Sequence, residues 1–301
     1  MTSKTHKVTT GYLPRLGFVG AGKVATSLGR YLSEAGVAQL SGYYSRTLMS
    51  AKESAGLTGS AVYVNLSELV ADSDVLLITT TDVQIVPVWQ SLSPLDLNGK
   101  VVGHCSGALS SKALDKNLQQ EAAVCSLHPL MAIKSKATPQ TEMRQVFFTL
   151  EGDQRALDLL ASWLDVTGNS YKIMPAKDKT RYHIGAVLIS NLVLSLGSLS
   201  VELFQEYDFS ETEALQALKS LATYNLEHFV TKGALASLTG PVERNDLGTV
   251  EKHLEALSAE SYQEVRDIYQ SLSLQLLKLA QDKHQTIDYD PLEQLLRKDR
   301  P

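Results

Sequence analysis

The sequence predicts an α/β protein in which a mainly parallel sheet is followed by an all-α C-terminal domain. Short apolar runs alternate with helix-period segments from Arg15 to Ile173, which is typical of βαβ units. A glycine-rich turn follows the first run, and the strand signal stops after Pro175 while helical periodicity continues. These observations indicate a Rossmann-type sheet. We expect a flexible leader at 1–14, a Rossmann domain at 15–175 and a helical domain at 176–301.

The individual strands are predicted from short apolar runs bounded by turn residues. They lie near residues 16–20, 40–45, 61–64, 75–80, 101–104, 124–128, 146–150 and 170–173. Helices are predicted at 22–36 and 154–166 in the first domain, and at 177–207, 211–232, 250–257, 259–283 and 291–298 in the second. Ser210 with Glu213 makes a capping box, Asp290 precedes a proline suited to the first helical position, and Gly36 suits the end of the first helix.

One segment, from Ile184 to Val201, is uncharged and long enough to cross a membrane. Polar side chains interrupt it repeatedly, at Ser190, Asn191, Ser195, Ser198 and Ser200. Because a polar side chain is costly in lipid and easily satisfied in a protein interior, we predict a buried central helix.

The composition narrows the class of partner. The chain of 301 residues has a net charge of -5 and no basic run, so it lacks the electrostatic footprint of a nucleic-acid-binding protein. Two cysteines are too few for a disulfide framework, and the N-terminal residues hold no apolar signal segment. We therefore expect a cytoplasmic protein with a small-molecule substrate, bound to neither nucleic acid nor membrane.

The glycine-rich turn reads Gly20-Ala21-Gly22-Lys23-Val24-Ala25 and lies directly between a predicted strand and a predicted helix. In this pattern the first glycine permits a tight turn, the second lets the backbone approach a pyrophosphate, and the alanine keeps the helix close to the sheet. The amides of the helix N-terminus favour the negative charge of the phosphates. The turn therefore predicts a dinucleotide site rather than an ordinary glycine turn.

The choice of dinucleotide is set at the end of the second strand, where NAD enzymes present an acidic residue to the ribose. Here the sequence is Tyr44-Ser45-Arg46-Thr47, without a carboxylate. A guanidinium beside hydroxyls suits a 2′-phosphate, although Arg46 can also be read as a solvated surface residue. We predict NADP(H) over NAD(H).

Two further strand ends carry candidate site residues, because ligands of open α/β sheets lie beyond the carboxyl ends of the strands. Thr80 and Thr81 are expected to line the cofactor, and Asp82 is expected to cap the next helix. The loop after the fifth strand reads His104-Cys105-Ser106-Gly107-Ala108. There we predict that Ser106 contacts the substrate or the nicotinamide amide, and that Cys105 is a small buried residue rather than a nucleophile.

The start of the helical half offers a proton donor. Hydride transfer to C=O or C=N leaves charge on the heteroatom, so such a site needs an acid or a cation. Lys179 and His183 are four residues apart and share a helix face, which makes either a candidate. They can equally be a solvated lysine and a packing histidine.

Other polar residues are candidates for substrate binding, namely His128, Asn191, Thr239 and Arg244. Arg244 can clamp a substrate carboxylate or pair with Asp246 as a structural tie, and the sequence slightly favours the tie. His104, His128 and His183 have no local metal-ligand spacing, so we predict no metal.

With these residues in view, the chain resembles the bacterial Rossmann-like NADP oxidoreductases that carry a helical C-terminal domain of unknown function. The shared motifs are Gly-Phe-Val-Gly-Ala-Gly-Lys-Val-Ala at 17–25, His-Cys-Ser-Gly-Ala at 104–108, Leu-His-Pro-Leu at 127–130, Tyr-His at 182–183, Ser-Asn at 190–191 and Leu-Thr-Gly-Pro at 238–241. The family is similar to pyrroline-5-carboxylate reductase, ketopantoate reductase and the β-hydroxyacid dehydrogenases.

This resemblance implies NADP(H), a homodimer through helical domains like the C-terminal domain of 6-phosphogluconate dehydrogenase, and an active site in an interdomain cleft. Two positions depart from the related families. Lys179 is followed four residues later by His183, where ketopantoate reductase and the hydroxyacid dehydrogenases carry asparagine. Asn245 stands where the family has glycine, although asparagine tolerates left-handed backbone geometry.

The function predicted from these observations is an NADP(H)-dependent oxidoreductase that reduces a small carbonyl or imine, with Lys179, His183 and Ser106 as its catalytic residues. The alternative is a non-catalytic NADP(H)-binding sensor or partner-binding protein. Turnover of NADPH with a keto-acid or cyclic imine separates the two.

Overall fold

A computed structural model describes residues 12–114 and 121–298 of the chain. The chain divides into two compact units, the first ending at Ser190 and the second beginning at Asn191. The predicted boundary after residue 175 lies earlier, because the first turns of the long helix that begins at Lys179 pack with the sheet unit.

The first unit is built on one sheet of eight strands, and every predicted strand is present. The strands are β1 (Arg15–Val19), β2 (Gln39–Tyr44), β3 (Ala61–Tyr63), β4 (Val75–Ile78), β5 (Val101–His104), β6 (Ala123–Pro129), β7 (Phe148–Gly152) and β8 (Tyr171–Ile173). Their order is β3-β2-β1-β4-β5-β6-β7-β8. The strands β1 to β6 pair in parallel, β7 is antiparallel to β6, and β8 is parallel to β7. The predicted Rossmann-type, mainly parallel sheet is confirmed.

Helices connect these strands. They are α1 (Lys23–Glu34), α2 (Leu48–Thr58), α3 (Leu66–Ala71), α4 (Asp82–Leu92), α5 (Gln140–Met143) and α6 (Gln154–Thr167). Gly36 has the positive φ of 69° that a residue following a helix end requires, as predicted. The crossover order leaves the carboxyl ends of β1, β4, β5 and β6 at one edge of the sheet, which is where a dinucleotide and its substrate bind in such folds.

Apolar side chains cover both faces of the sheet, as burial of a parallel sheet requires. On β4, Leu77 belongs to the core on one face, while Leu76 and Ile78 belong to the core on the other. This alternation follows from the two-residue period of a strand. The sheet therefore forms a rigid base for the loops at its carboxyl edge.

The second unit is helical, as predicted. The long helix α7 (Lys179–Gln205) leads into it, followed by α8 (Glu211–Lys232), α9 (Ala234–Ser237), α10 (Leu247–Ala256), α11 (Gln263–Lys283) and α12 (Asp290–Arg297). The capping box of Ser210 and Glu213 is confirmed, with the hydroxyl and the carboxylate each bonded to the other's backbone amide. A core that includes Leu238, Val250 and Leu277 joins α10, α11 and α12.

The helix α7 corrects one prediction, because most of its apolar side chains are not buried in the chain. Leu194 is 71% exposed, and Leu188 and Leu192 are also exposed. Within the described residues, one helix, Ala176–Gln205, has the length and composition of a membrane-spanning helix, and none of its apolar window is buried. The composition predicts an apolar helix, but it does not show whether other residues of the same chain bury that helix. The expected cytoplasmic location stays a prediction.

Candidate functional site

The predicted dinucleotide turn joins β1 to α1 with the geometry that the sequence indicates. Gly20 has a φ of +116° and donates its amide to Tyr44 O at 2.8 Å. A Cβ at Gly20 would lie 2.7 Å from Thr79 Oγ1, so both the backbone angle and the contact require glycine. Ala25 is fully buried against the core, which keeps α1 close to the sheet.

The turn is open on the side of Gly22. Gly22 is exposed, and a Cβ added to it would meet nothing within 4 Å. Gly22 has no side chain with which to cap α1, so the amides at the start of that helix, around Lys23 and Val24, are left for an external acceptor. Ser54 Oγ donates to Ala21 O at 3.0 Å and thereby fixes the turn from behind. These residues fit a pyrophosphate.

The end of β2 carries the residues predicted to select the nucleotide. Ser45 is half-buried, and Arg46 is exposed next to Thr47, the residue that precedes α2. A guanidinium and hydroxyls beside a helix N-terminus are suited to a phosphate group. The geometry here is compatible with a 2′-phosphate.

The residue Thr80, just after the end of β4, carries a hydroxyl without a hydrogen-bond partner among the described residues. Thr80 Oγ1 is buried without a hydrogen-bond partner in the part of the chain that the structure describes. Thr81 is the residue before α4 and is exposed. A buried hydroxyl without a partner is costly unless a ligand or water satisfies it, so the residues of this edge fit a bound dinucleotide.

The Asp82 carboxylate has a different partner from the one predicted. It makes no side-chain cap for α4 and instead accepts a hydrogen bond from Ser106 Oγ at 2.8 Å. The same Ser106 oxygen accepts from the amides of Ala108 and Leu109, at 3.1 and 3.0 Å. The cap prediction for Asp82 is therefore wrong, because a tertiary partner competes with the local helix amides.

These contacts also define what Ser106 can do. Its hydroxyl makes three hydrogen bonds, and the residue is 6% exposed. These bonds stabilise the loop that follows β5, residues 105–110. His104 supports the same loop by accepting from Ser106 N at 3.2 Å and contacting Ser110 O at 3.1 Å. These bonds hold the Ser106 hydroxyl against its own loop and Asp82, and its predicted catalytic role stays a prediction.

Lys179 lies beneath the same loop. It is 1% exposed, and its Nζ donates to Ser106 O at 3.0 Å and to Ser126 Oγ at 2.8 Å. Burial lowers the pKa of Lys179, while the carboxylates of Glu151 and Asp82 oppose that shift. The solvated alternative for Lys179 is thus wrong, and its ammonium faces the loop backbone.

The polar side chains above the loop are His128, Tyr182 and His183. His128 Nδ1 lies 2.9 Å from the Tyr182 hydroxyl, and the rings of His128 and His183 are 6.4 Å apart. A Cβ at Gly107 would lie 2.7 Å from His183 Cδ2 and 2.8 Å from His128 Nε2, so both imidazoles rest on the loop at this glycine. The predicted candidates His128, Lys179 and His183 are therefore brought together in the first unit.

Burial keeps the His128 imidazole and the Tyr182 phenol neutral. Burial, followed by repulsion from Lys179 and His183, lowers the pKa of His128 to about 4. Burial raises the pKa of Tyr182, and the nearby Thr149 hydroxyl opposes this rise. The Lys179 ammonium lies 5.9 Å from the centre of the Tyr182 ring. The cluster thus contains a protonated phenol, a neutral imidazole and a nearby cation.

Sequence reasoning did not select Tyr182 as a functional residue. It appeared only in the Tyr-His motif at 182–183, next to the histidine that was selected. Its contact with His128 joins residues 54 positions apart, and helix spacing does not predict such a contact.

Neither cysteine nor metal chemistry is supported by this geometry. Burial raises the pKa of Cys105 to about 12, so its thiol is protonated. Over residues 12–114 and 121–298, no group of three or more His, Cys, Asp and Glu side chains is placed to hold a metal.

Comparison with known proteins identifies both parts of the chain. Residues 15–106 match the family described as NADP oxidoreductase, coenzyme F420-dependent. Residues 146–276 match the domain of unknown function DUF2520. The chain joins an NADP-oxidoreductase Rossmann domain to a DUF2520 domain.

Solved structures share this combination of a sheet unit and a helical unit. The chain is similar to a Thermotoga maritima protein, with 27% identity and a TM-score of 0.71 over 89% of this chain and 99% of the other. It is also similar to an imine reductase from Pseudomonas sp., with 18% identity and a TM-score of 0.58 over 95% and 93% of the two chains. A Plasmodium falciparum pyrroline carboxylate reductase with NADP bound has 13% identity and a TM-score of 0.58 over 90% and 96%. The last two likenesses show the fold alone. No curated protein matches the chain.

The remaining substrate-binding candidates lie in the second unit, within the DUF2520 match. Asn191, Thr239 and Arg244 are all exposed there. Asp246 caps α10 by accepting from Thr249 N and Oγ1, at 3.0 and 2.8 Å, and Arg244 acts on it only as a weaker electrostatic influence. The favoured Arg244–Asp246 tie is therefore replaced by a helix cap.

Two features fix the DUF2520 loop that contains Arg244. Asn245 has a φ of +54°, the left-handed geometry expected where its family carries glycine. Glu243 Oε1 is bonded to Lys283 Nζ at 3.0 Å and to His284 Nε2 at 2.8 Å, which lowers the pKa of Glu243. Roles for Asn191, Thr239 and Arg244 in substrate binding stay predictions.

Proposed function

We propose that this protein is an NADP(H)-dependent reductase that transfers hydride to the C=O or C=N bond of a small substrate. The observation that carries the proposal is the Tyr182–His128 hydrogen bond, which lies at the same edge of the sheet as the open dinucleotide turn at Gly20 and Gly22. A hydride donor and a proton donor are the two requirements of such a reduction. The names of the imine reductase and of the NADP-bound pyrroline carboxylate reductase support the same reaction class.

The residues proposed to hold the nucleotide are those that fit it chemically. The turn at Gly20, Ala21 and Gly22, with the first amides of α1, would receive the pyrophosphate, and Ser45 with Arg46 would receive the 2′-phosphate. The unpartnered Thr80 hydroxyl would bond to the nucleotide from the end of β4. When bound in its reduced form, the nicotinamide supplies the hydride.

Tyr182 is the proton donor in this proposal, in place of Lys179. The Lys179 ammonium is buried and donates to Ser106 O and to Ser126 Oγ on β6, whereas Tyr182 is only partly buried. If His128 carries its proton on Nδ1, it donates to the phenol oxygen, and the phenol proton is directed to the substrate. The resulting phenolate is stabilised by that bond and by the nearby ammonium.

The test is turnover by Tyr182→Phe, measured as NADPH oxidation with a panel of small keto-acids, ketones and cyclic imines. We expect kcat to fall roughly a hundredfold, since a positioned general acid contributes about that much or more. The affinity for NADPH, followed by thermal shift, should not change. Tyr171→Phe on β8 is the matched control.

Two results would count against the proposal. Full activity of Tyr182→Phe would remove the tyrosine from the chemistry. A wild-type protein that binds NADPH but turns over no member of the panel would favour the non-catalytic sensor.

We also propose that the protein is a homodimer, as the family resemblance implies. Within the second unit, apolar side chains of α7 and α8 are exposed, including Leu194 at 71% and Val230 at 70%. Because α8 also carries Glu211, Glu213 and Lys232, its surface fits a second protein copy better than lipid. Light scattering should give a dimer for the wild type and a monomer for Leu194→Glu with Val230→Glu; a wild-type monomer would contradict the proposal.

A further inference from the structure

The Asp82 carboxylate has a free oxygen at the site. Its Oδ2 accepts the hydroxyl proton of Ser106, and Oδ1 has no hydrogen bond within the described residues. The side chain is exposed at the start of α4. The expected cap of α4 by this carboxylate is not formed, so its free oxygen has no assigned role.

Asp82 also acts electrostatically on the candidate catalytic cluster. Its negative charge opposes the lowering of the pKa of His128, of His104 and of Lys179. Asp82 and His128 contact the same loop at 105–110, since Asp82 is bonded to Ser106 and a Cβ at Gly107 would lie 2.8 Å from His128 Nε2.

The Lys179 ammonium is not accessible to a ligand. Lys179 is 1% exposed and directs its ammonium to Ser106 O and Ser126 Oγ, on the inner side of the loop. The burial that lowers the pKa of His128 to about 4 leaves its imidazole neutral near pH 7. A molecule entering this site therefore meets the exposed Asp82 carboxylate, the neutral His128 imidazole and the Tyr182 phenol, while the Lys179 ammonium is shielded.

From this distribution of charge we propose that the substrate of the site is an imine that reacts as its protonated cation, with Asp82 as the counter-charge. The proposal rests on the reductase function above and names its substrate class. An iminium cation is stabilised beside a carboxylate, whereas a ketone develops an alkoxide there and is opposed by the same charge.

The reaction balances without a further reactant. A hydride from the reduced nicotinamide adds to the carbon of C=N, the π electrons become the nitrogen lone pair, and the positive charge of the substrate is lost. The products are a neutral amine and the oxidised nicotinamide. An imine that enters unprotonated takes its proton from Tyr182, and the phenolate regains one from solvent through His128.

The experiment compares methylpyrroline with cyclopentanone, a cyclic imine and a ketone of similar size, by following NADPH oxidation. Asp82→Asn removes the charge but keeps an oxygen that can accept from Ser106, so the loop contact survives. Asp290→Asn is the matched control, because Asp290 is likewise the first residue of its helix, α12.

We expect the wild type to reduce the imine with a kcat/KM at least about a hundredfold above that of the ketone. Asp82→Asn should lower kcat/KM for the imine roughly tenfold or more, because a neighbouring opposite charge shifts a pKa by about one to three units. It should not lower kcat/KM for the ketone. Asp290→Asn should behave as the wild type.

Three results would overturn the inference. Equal reduction of imine and ketone would leave the reductase function standing but remove the substrate class. A fall in NADPH affinity for Asp82→Asn with an unchanged imine-to-ketone ratio would assign Asp82 to the nucleotide. Binding of NADPH with reduction of neither compound, nor of any other in the panel, would remove both proposals.

Discussion

We expect the free energy of unfolding to fall in mild acid, and we expect His128→Gln to reduce that fall by a large part. His128 is partly buried, contacts Tyr182 and is surrounded by Lys179, His183, Asp82 and His104. Burial is the largest cause of its lowered pKa, and the positive charge of Lys179 adds to it. Glutamine keeps a polar group near Tyr182 but cannot take up a proton in this range.

The magnitude follows from the two ends of the titration. The pKa of His128 is about 4 in the folded protein and 6.5 without perturbation. Below pH 6.5 the unfolded chain therefore binds a proton that the folded protein does not bind, so stability falls as pH decreases from 6.5 to 4. Each pKa unit is about 1.4 kcal/mol, so the full effect is about 3 kcal/mol, of which roughly 2 kcal/mol is lost between pH 7 and pH 5.

The assay is urea denaturation of the wild type and of His128→Gln at pH 7 and at pH 5. The wild type should lose about 2 kcal/mol more than the variant over this interval. Any contribution of His104, whose pKa burial also lowers, is present in both proteins and largely cancels. An equal pH dependence of the two proteins would refute the argument, because His128 would then titrate alike in the folded and unfolded states.

Other variants test the nucleotide site and the loop. Arg46→Ala should weaken NADPH binding roughly tenfold to a hundredfold and leave NADH binding nearly unchanged, because a charge-assisted contact to a 2′-phosphate contributes about 1.5–3 kcal/mol. Calorimetric titration measures both affinities, with Arg144→Ala as the control variant. Equal losses of affinity for the two nucleotides would contradict this prediction. Gly107→Ala should lower kcat roughly tenfold at unchanged NADPH affinity, because the new Cβ would lie 2.7 Å from His183 Cδ2 and displace the imidazoles. Gly56→Ala, where a Cβ meets nothing within 4 Å, is its control, and equal kcat values would show that the imidazole positions do not matter.

The parts of the fold that the sequence predicted are those with local causes. The strands follow from apolar runs, the Gly20–Gly22 turn from backbone geometry, and the Ser210 cap from a contact three residues away. Lys179 and His183 could be paired because helix spacing places them on one face. Each of these inferences needs only neighbouring residues.

The rest depends on contacts between distant residues. Asp82 bonds to Ser106, 24 positions away, and this contact replaced the local cap that the sequence favoured. The burial of Lys179 depends on Ser126, 53 positions away, so the choice between a solvated and a buried lysine could not be made from spacing. The exposure of α7 also could not be predicted, because apolar composition does not specify which surface covers a helix.

The most direct test of the central claim follows deuterium from NADPH that is labelled at the transferable position of its nicotinamide. Incubation with methylpyrroline should give an amine that carries deuterium on the former imine carbon, in amounts equal to the NADPH consumed. A protein that binds the labelled NADPH tightly and yields no deuterated product with methylpyrroline or any other member of the panel would contradict the account.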